Sequence, residues 1–303
     1  MAVTVRETIK SIIYNHLKSK KGKCFGQCLT AVGWVGGTLP ELFENDGMIE
    51  LSMADVAGGA IVTGAALANS RPIYVVRYQG FQWYNCVSIL NYAAKSKDIW
   101  KRTCPIMIRS IAMEGKIGPV AGSSHHSLYY RMPGVKIVSP MTPKEYEECY
   151  KNFMEDDVPY YFSEHRKSFD NTEELPDVIY DDPDICLIPF SITRFAAQKA
   201  SLMLKDYGIK CNVLHQLWIK PFDTNKNIES NLSKSKFGAI LLDDDYTSGI
   251  LESLAYKIQK TCNKQIHCMG LKDKTAGFSE KNDNLPPNEF EIVNKVREII
   301  KFN

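Results

Sequence analysis

At 303 residues, with 44% apolar and 24% charged residues, the chain is long enough for one large or two ordinary domains whose cores need no disulfide or metal staple. Its 37 basic and 35 acidic residues leave a net charge of +2 and are scattered, which argues against a nucleic-acid or anionic-membrane surface. Nine cysteines, at 24, 28, 86, 104, 149, 186, 211, 262 and 268, form no CxxC and no repeated spacing, the pattern of reduced intracellular thiols.

Cys24 and Cys28 lack a second ligand pair, so no zinc site is predicted. Val5 to Lys23 reads as an amphipathic helix with Ile9, Ile12, Ile13 and Leu17 on one side. It resembles neither a membrane span nor a signal peptide, and a cytoplasmic protein is expected. Lys23 to Leu29 (KCFGQCL) reads as a short strand or strand end, and Thr30 to Pro40, with Gly33, Gly36 and Gly37, as a glycine-rich loop. Neither GxGxxG nor GxxxxGK occurs, so no dinucleotide or P-loop nucleotide site is predicted.

The densest stretch runs from Met48 to Asn85. Asp55 to Ala68 is predicted to be a helix carrying Gly58, Gly59, Ala60, Gly64, Ala65 and Ala66, small enough for neighbouring backbones to approach closely. Each glycine costs such a helix about 1 kcal/mol relative to alanine, so packing must hold it. Ser52 or Asp55 is expected to cap its start. Arg71-Pro72 ends the helical pattern; Ile73 to Val76 then reads as a buried strand feeding an aromatic loop, Arg77 to Trp83. A helix over Cys86 to Lys97 and a buried strand over Cys104 to Ser110 follow.

Gly118 to Gly134 (GPVAGSSHHSLYYRMPG) is predicted to be irregular, and loops at strand ends are where α/β folds place chemistry. Its His125 and His126 can donate hydrogen bonds, move protons near neutral pH or stabilise an oxyanion. Thr142 and Glu145 predict a capping box for the next helix, which leads to a strand at Tyr160 to Ser163. The acidic, proline-bearing run Lys167 to Asp184 reads as an interdomain linker. Beyond it, strands at Ile185 to Pro189, Cys211 to Leu217 and Gly238 to Leu242 alternate with helices, among them Thr193 to Tyr207 and Gly249 to Cys262, as in a second α/β layer structure. Asp243 to Asp245 is expected to be solvated or capping rather than a metal site.

This ordered set of motifs resembles the β subunit of the E1 component of 2-oxo acid dehydrogenases and, more broadly, the pyrimidine-binding half of the transketolase superfamily. The resemblance rests on Asp55 nine residues before Gly64, Arg71-Pro72-Ile73, Phe81, Asn91 to Lys95 (NYAAK), His126-Ser127 and Pro133 to Pro140 (PGVKIVSP), and it spans nearly the whole chain. It implies an α/β fold of two three-layer domains. Residues 1–170 would form a pyrimidine-binding domain with a largely parallel sheet, 171–184 a linker and 185–303 a transketolase C-terminal-like domain.

It also implies thiamine diphosphate as cofactor. Asp55 stands where the family glutamate hydrogen-bonds the aminopyrimidine, and Phe81 where an aromatic stacks on the ring, with Tyr78, Gln27 and Leu29 as further contacts. Aspartate for glutamate shortens that arm by one methylene, roughly 1.5 Å. The family histidine facing the reacting carbon corresponds to His125 or His126, because the segment up to Pro133 is shorter than in E1 β subunits. The superfamily's diphosphate-and-magnesium motif, GDG followed downstream by an asparagine, does not occur. Diphosphate and Mg2+ are therefore expected on an E1 α-like or transketolase N-terminal-like partner, in a heterotetramer of two α-type and two β-type chains, with no metal held by this one. Self-association through the C-terminal domain and a lipoyl-bearing E2 complete the partners that the resemblance suggests. Ser123-Ser124-His125 lacks the aspartate of the transketolase DGPTH loop, which favours decarboxylation of a 2-oxo acid with acyl transfer. A split transketolase-like ketol or acyl transferase acting on a sugar, and a non-catalytic assembly subunit, are the alternatives.

Overall fold

Short runs of buried β-branched and aromatic residues alternate with amphipathic stretches along the whole chain, and each run becomes a strand. The computed structural model describes residues 2–19, 22–30, 34–114, 120–224, 226–277, 281 and 283–302. It divides into one unit of Met1–Glu174 with Trp218–Pro221, and a second of Leu175–Leu217 with Phe222–Asn303.

The elements up to residue 165 are α1 (Val5–Lys18), β1 (Gly22–Gly26), β2 (Met48–Glu50), α2 (Asp55–Leu67), β3 (Arg71–Val76), α3 (Gln82–Ser88), α4 (Ser96–Trp100), β4 (Met107–Ala112), α5 (Ser127–Tyr130), β5 (Lys136–Val138), α6 (Pro143–Glu155) and β6 (Tyr160–His165). After them come β7 (Ile185–Pro189), α7 (Thr193–Asp206), β8 (Cys211–Val213), β9 (Trp218–Lys220), α8 (Lys226–Lys234), β10 (Ala239–Tyr246), α9 (Leu251–Cys262), β11 (Ile266–Leu271) and α10 (Glu289–Phe302).

The first unit is built on a seven-stranded sheet of order β2-β1-β3-β4-β6-β5-β9, parallel except for β9, which runs antiparallel to β5. β4 and β6 are buried at every position, as parallel strands covered on both faces must be. The second unit has a parallel four-stranded sheet of order β11-β10-β7-β8. Its core packs Ile185, Leu187, Ile240 and Leu242 against Leu204 of α7 and Ile292 and Val296 of α10.

The central strands of the first unit enclose an ion pair. Arg109 and Glu164 are at most 1% exposed and meet as a fork, Nε to Oε1 at 2.7 Å and Nη2 to Oε2 at 2.8 Å. Arg109 Nε also reaches the Tyr146 hydroxyl (3.1 Å), Nη2 donates to Thr38 Oγ1 (3.0 Å), and Tyr146 donates to Glu164. Burial is the largest single influence and works against the arginine's charge, but Glu164 and Tyr146 together outweigh it, and the net effect is a raised pKa.

Several expectations need correction. α1 stops at Lys18 rather than Lys23, with Lys20 and Lys21 outside the described residues. The helix expected over Cys86 to Lys97 is broken into α3, a π-turn at Ile89–Ala93 and α4. The run Gly118 to Gly134, of which Gly118 and Pro119 lie outside the described residues, contains the single helical turn α5 and is not wholly irregular. Thr142 caps α6 by accepting from the Glu145 N–H (3.3 Å), whereas the Glu145 carboxylate accepts from the Met141 N–H (2.9 Å). Asp243, Asp244 and Asp245 are not solvated: they lie within β10 and are at most 1% exposed. All nine cysteines are free thiols.

Candidate active site

Three elements of the first unit bring polar groups together: the end of β1, the start of α2 and the segment that follows β3. The residue before α2 is Ala54, whose side chain makes no cap, so neither Ser52 nor Asp55 caps the helix as expected. Asp55 is instead the first helical residue, and its carboxylate is held from the side. Its Oδ1 accepts from Gln27 Nε2 at 3.0 Å and from Asn85 Nδ2 at 3.2 Å.

Asn85, on α3, is 1% exposed and uses both ends of its amide. Nδ2 also donates to the Phe81 carbonyl (3.0 Å), and Oδ1 accepts from the Tyr74 hydroxyl of β3. The partners fix which way this amide points, because a carboxylate and a carbonyl only accept. Burial, and then the nearby charge of Asp55, raise the Tyr74 pKa, so the phenol keeps the proton it donates.

The paired glycines of α2 follow from this network. A Cβ on Gly58 would run into the Tyr74 hydroxyl, and one on Gly59 into the Asn85 carbonyl oxygen. Gly59→Ala should therefore destabilise the protein by about 1–3 kcal/mol through overpacking, despite alanine's advantage in a helix of about 1 kcal/mol. Thermal unfolding checks this; an unchanged Tm would mean that α3 yields without cost.

Phe81 closes a 3-10 turn, Gln79–Phe81, where the sequence suggests an open loop. Its ring lies 6.0 Å from that of Tyr78, and the Arg77 guanidinium sits 4.9 Å over the Tyr78 ring. Gln27, Asp55 and Phe81 line a single cavity of about 10 Å3 with Tyr74, Arg77 and Asn85. Leu29 is not part of this lining; it is buried, and its N–H rests on the Glu50 carboxylate, 3.0 Å from Oε2.

The two histidines sit in different surroundings. His126 is fully buried, with Nδ1 3.1 Å from Ser163 Oγ. His125 is half-buried, edge-on to Trp83 with ring centroids 6.1 Å apart, and its Nε2 lies 3.4 Å from Ser123 Oγ. Gln79 connects this segment to the aromatic turn. Its Oε1 accepts from the His125 N–H (2.6 Å) and the Tyr161 hydroxyl (3.0 Å), while Nε2 lies 3.0 Å from Ser163 Oγ and 3.2 Å from the Ser110 carbonyl. Tyr74, Gln79 and Asn85 escaped the sequence reading, since each is a single polar residue in an apolar or aromatic run with no motif spacing.

The family description "Transketolase, pyrimidine binding domain" matches residues 20–171, and "Transketolase, C-terminal domain" matches residues 177–282. The chain belongs to the transketolase family. It is 22% identical over 326 residues to the pyruvate dehydrogenase E1 component subunit beta of Rickettsia felis, with all of both chains covered. It is 28% identical over 252 residues to the 2-oxoisovalerate dehydrogenase subunit beta of Bacillus subtilis, covering 74% of this chain and 73% of that one. Its fold is similar to that of a solved structure described as split gene transketolase, inactive beta4 tetramer, with a TM-score of 0.74, 14% identity and 99% of each chain covered. The α/β architecture with two transketolase-family domains is the one the motifs led us to expect, and Asp55, Phe81 and both histidines fall inside the pyrimidine-binding match.

Proposed function

We propose that this transketolase-family chain is the β-type subunit of a two-subunit thiamine-diphosphate-dependent enzyme that decarboxylates a 2-oxo acid and transfers the acyl unit. The observation that carries the proposal is the Asp55 carboxylate, half-buried, held on Oδ1 by two amides and sharing a cavity with Phe81. These residues fit an aminopyrimidine: the carboxylate is an acceptor for the ring N–H of its protonated or imino form, and Phe81 offers an aromatic face. When bound, the cofactor supplies an electron sink for cleavage beside a 2-oxo group. Asp55 would orient the pyrimidine, Phe81 with Tyr78 would stack against it, and His125 and His126 would move protons or stabilise an oxyanion.

A partner chain is part of the proposal. A cavity of about 10 Å3 cannot enclose a ring, so in this reading these residues supply one wall of the site and the partner supplies the rest. Around that wall Met53, Val56, Ile61, Trp83, Tyr84 and Val87 are each 47–75% exposed, an apolar surface of the kind that marks an interface. The relatives named as beta subunits, and the inactive state of the β4 split transketolase, support an α-type partner that holds diphosphate and Mg2+. A lipoyl-bearing E2 belongs to the same reading, as does a cytoplasmic setting; among the described residues no helix is long and apolar enough to cross a membrane. The likeness to a split transketolase favours, as a second reading, ketol transfer from a sugar.

The test is a titration of thiamine diphosphate and Mg2+ into the chain alone and into its complex with an α-type partner, followed by a panel of 2-oxo acids and ketoses. Affinity should be at least about tenfold higher in the complex, a difference of 1.4 kcal/mol or more. Equal affinity in the isolated chain would sink the shared site. No binding by the complex would leave an assembly subunit, and turnover of ketoses alone would transfer the assignment to the second reading.

A further inference from the structure

The shortened acid at position 55 poses a geometric problem that the neighbouring residues solve. A carboxylate on one methylene rotates broadly about χ2, so an unheld aspartate presents its second oxygen over a wide arc. Here Oδ1 is tied twice, by Gln27 at 3.0 Å and Asn85 at 3.2 Å, from different elements. With that oxygen fixed, the direction of Oδ2 is fixed too.

Asn85 cannot easily turn away. Its Oδ1 is engaged by Tyr74, and its Nδ2 also holds the Phe81 carbonyl at 3.0 Å. One buried amide thus sets the carboxylate and the backbone of the proposed stacking ring in a common frame. Gly58 and Gly59 leave the room that Tyr74 and Asn85 need to reach it.

We infer that Asn85 and Gln27 are positioning residues that aim the short Asp55 side chain at the aminopyrimidine, with Tyr74 locking Asn85 in place. The inference rests on the cofactor reading above. It makes the amide pair, rather than the length of the acid alone, the device that supports activation of the cofactor in this chain.

The experiment uses the complex with the α-type partner, thiamine diphosphate and Mg2+. It measures cofactor Kd together with the rate at which the C2 proton of the bound cofactor exchanges for deuterium, read by NMR after acid quench. Asn85→Ala and Gln27→Ala should each slow exchange about 10- to 100-fold, the scale of a misplaced catalytic group, while Kd stays within about threefold. Asp55→Glu placed in the Asn85→Ala background should restore most of the rate, because the arm longer by one methylene reaches the ring without depending on the amide that Asn85 supplied.

Exchange that is fast in the wild type and unchanged in both variants overturns the positioning role alone. So do exchange and affinity falling in parallel, which marks a merely structural contact. A wild-type complex that fails to accelerate exchange over free cofactor overturns the cofactor reading and this inference with it. If Asn85→Ala does not fold, Gln27→Ala, at a half-buried residue, decides the question.

Discussion

Replacing Asp55 with alanine is expected to abolish turnover while the subunits still assemble. General acid–base groups contribute about 10^2- to 10^4-fold to rates, and a residue that orients the cofactor should stand at the upper end. Assembly should survive because the side chain is only half-buried, and because its loss deprives two amide donors of a single acceptor oxygen. The stability cost of that loss is about 1–3 kcal/mol at most. Steady-state kinetics and sedimentation of the purified complex check both halves. Full activity in the variant would remove Asp55 from the mechanism, and loss of the complex would make it a structural residue.

Arg109→Ala is expected to be the most destabilising change in the first unit. The fork between Arg109 and Glu164 is essentially solvent-free, and removing the arginine strands a carboxylate among β-strands, with the Tyr146 hydroxyl as its remaining donor among the described residues. Breaking a buried pair from one side costs about 3–5 kcal/mol. For a unit of this size that corresponds to a fall in Tm on the order of 10 °C. Removing both partners at once, with Arg109→Met and Glu164→Leu, should recover much of the loss, since no charge is then left buried alone. Differential scanning calorimetry of the three chains decides the matter: equal melting temperatures would show that the pair contributes nothing beyond its volume.

Much of this architecture is legible in the sequence because parallel strands announce themselves as short apolar runs. Ile185 to Pro189 is read to the residue, and Ile73 to Val76 falls inside β3. The motif order singles out Asp55 and Phe81, and the structure brings them to one cavity, which is where the proposal above starts. Other features are set by neighbours distant in the chain. Tyr74, Gln79 and Asn85 act through hydrogen bonds to residues far from them in sequence or on another element, for which composition leaves no trace. Asp243 to Asp245 looks solvated on charge alone, yet the strand carries these residues into the interior. The N-cap expected of Asp55 fails for a related reason: its carboxylate has better partners sideways than along the helix axis.

β9 is the least legible element, being three residues whose strand partner among the described residues, β5, lies some eighty positions earlier in the chain. Lys220 reinforces that pairing by donating to the carbonyls of Tyr130 and Met132. The chain therefore leaves the first sheet after β6, builds part of the second, returns for one strand and departs again. A protein cut at Glu174 would keep the pyrimidine-binding sequence but expose the flank of β5, a row of unpaired N–H and C=O groups ready to recruit a foreign strand. The two halves are thus stitched rather than merely strung together. Recombination or truncation at the linker alone should therefore yield an aggregating fragment.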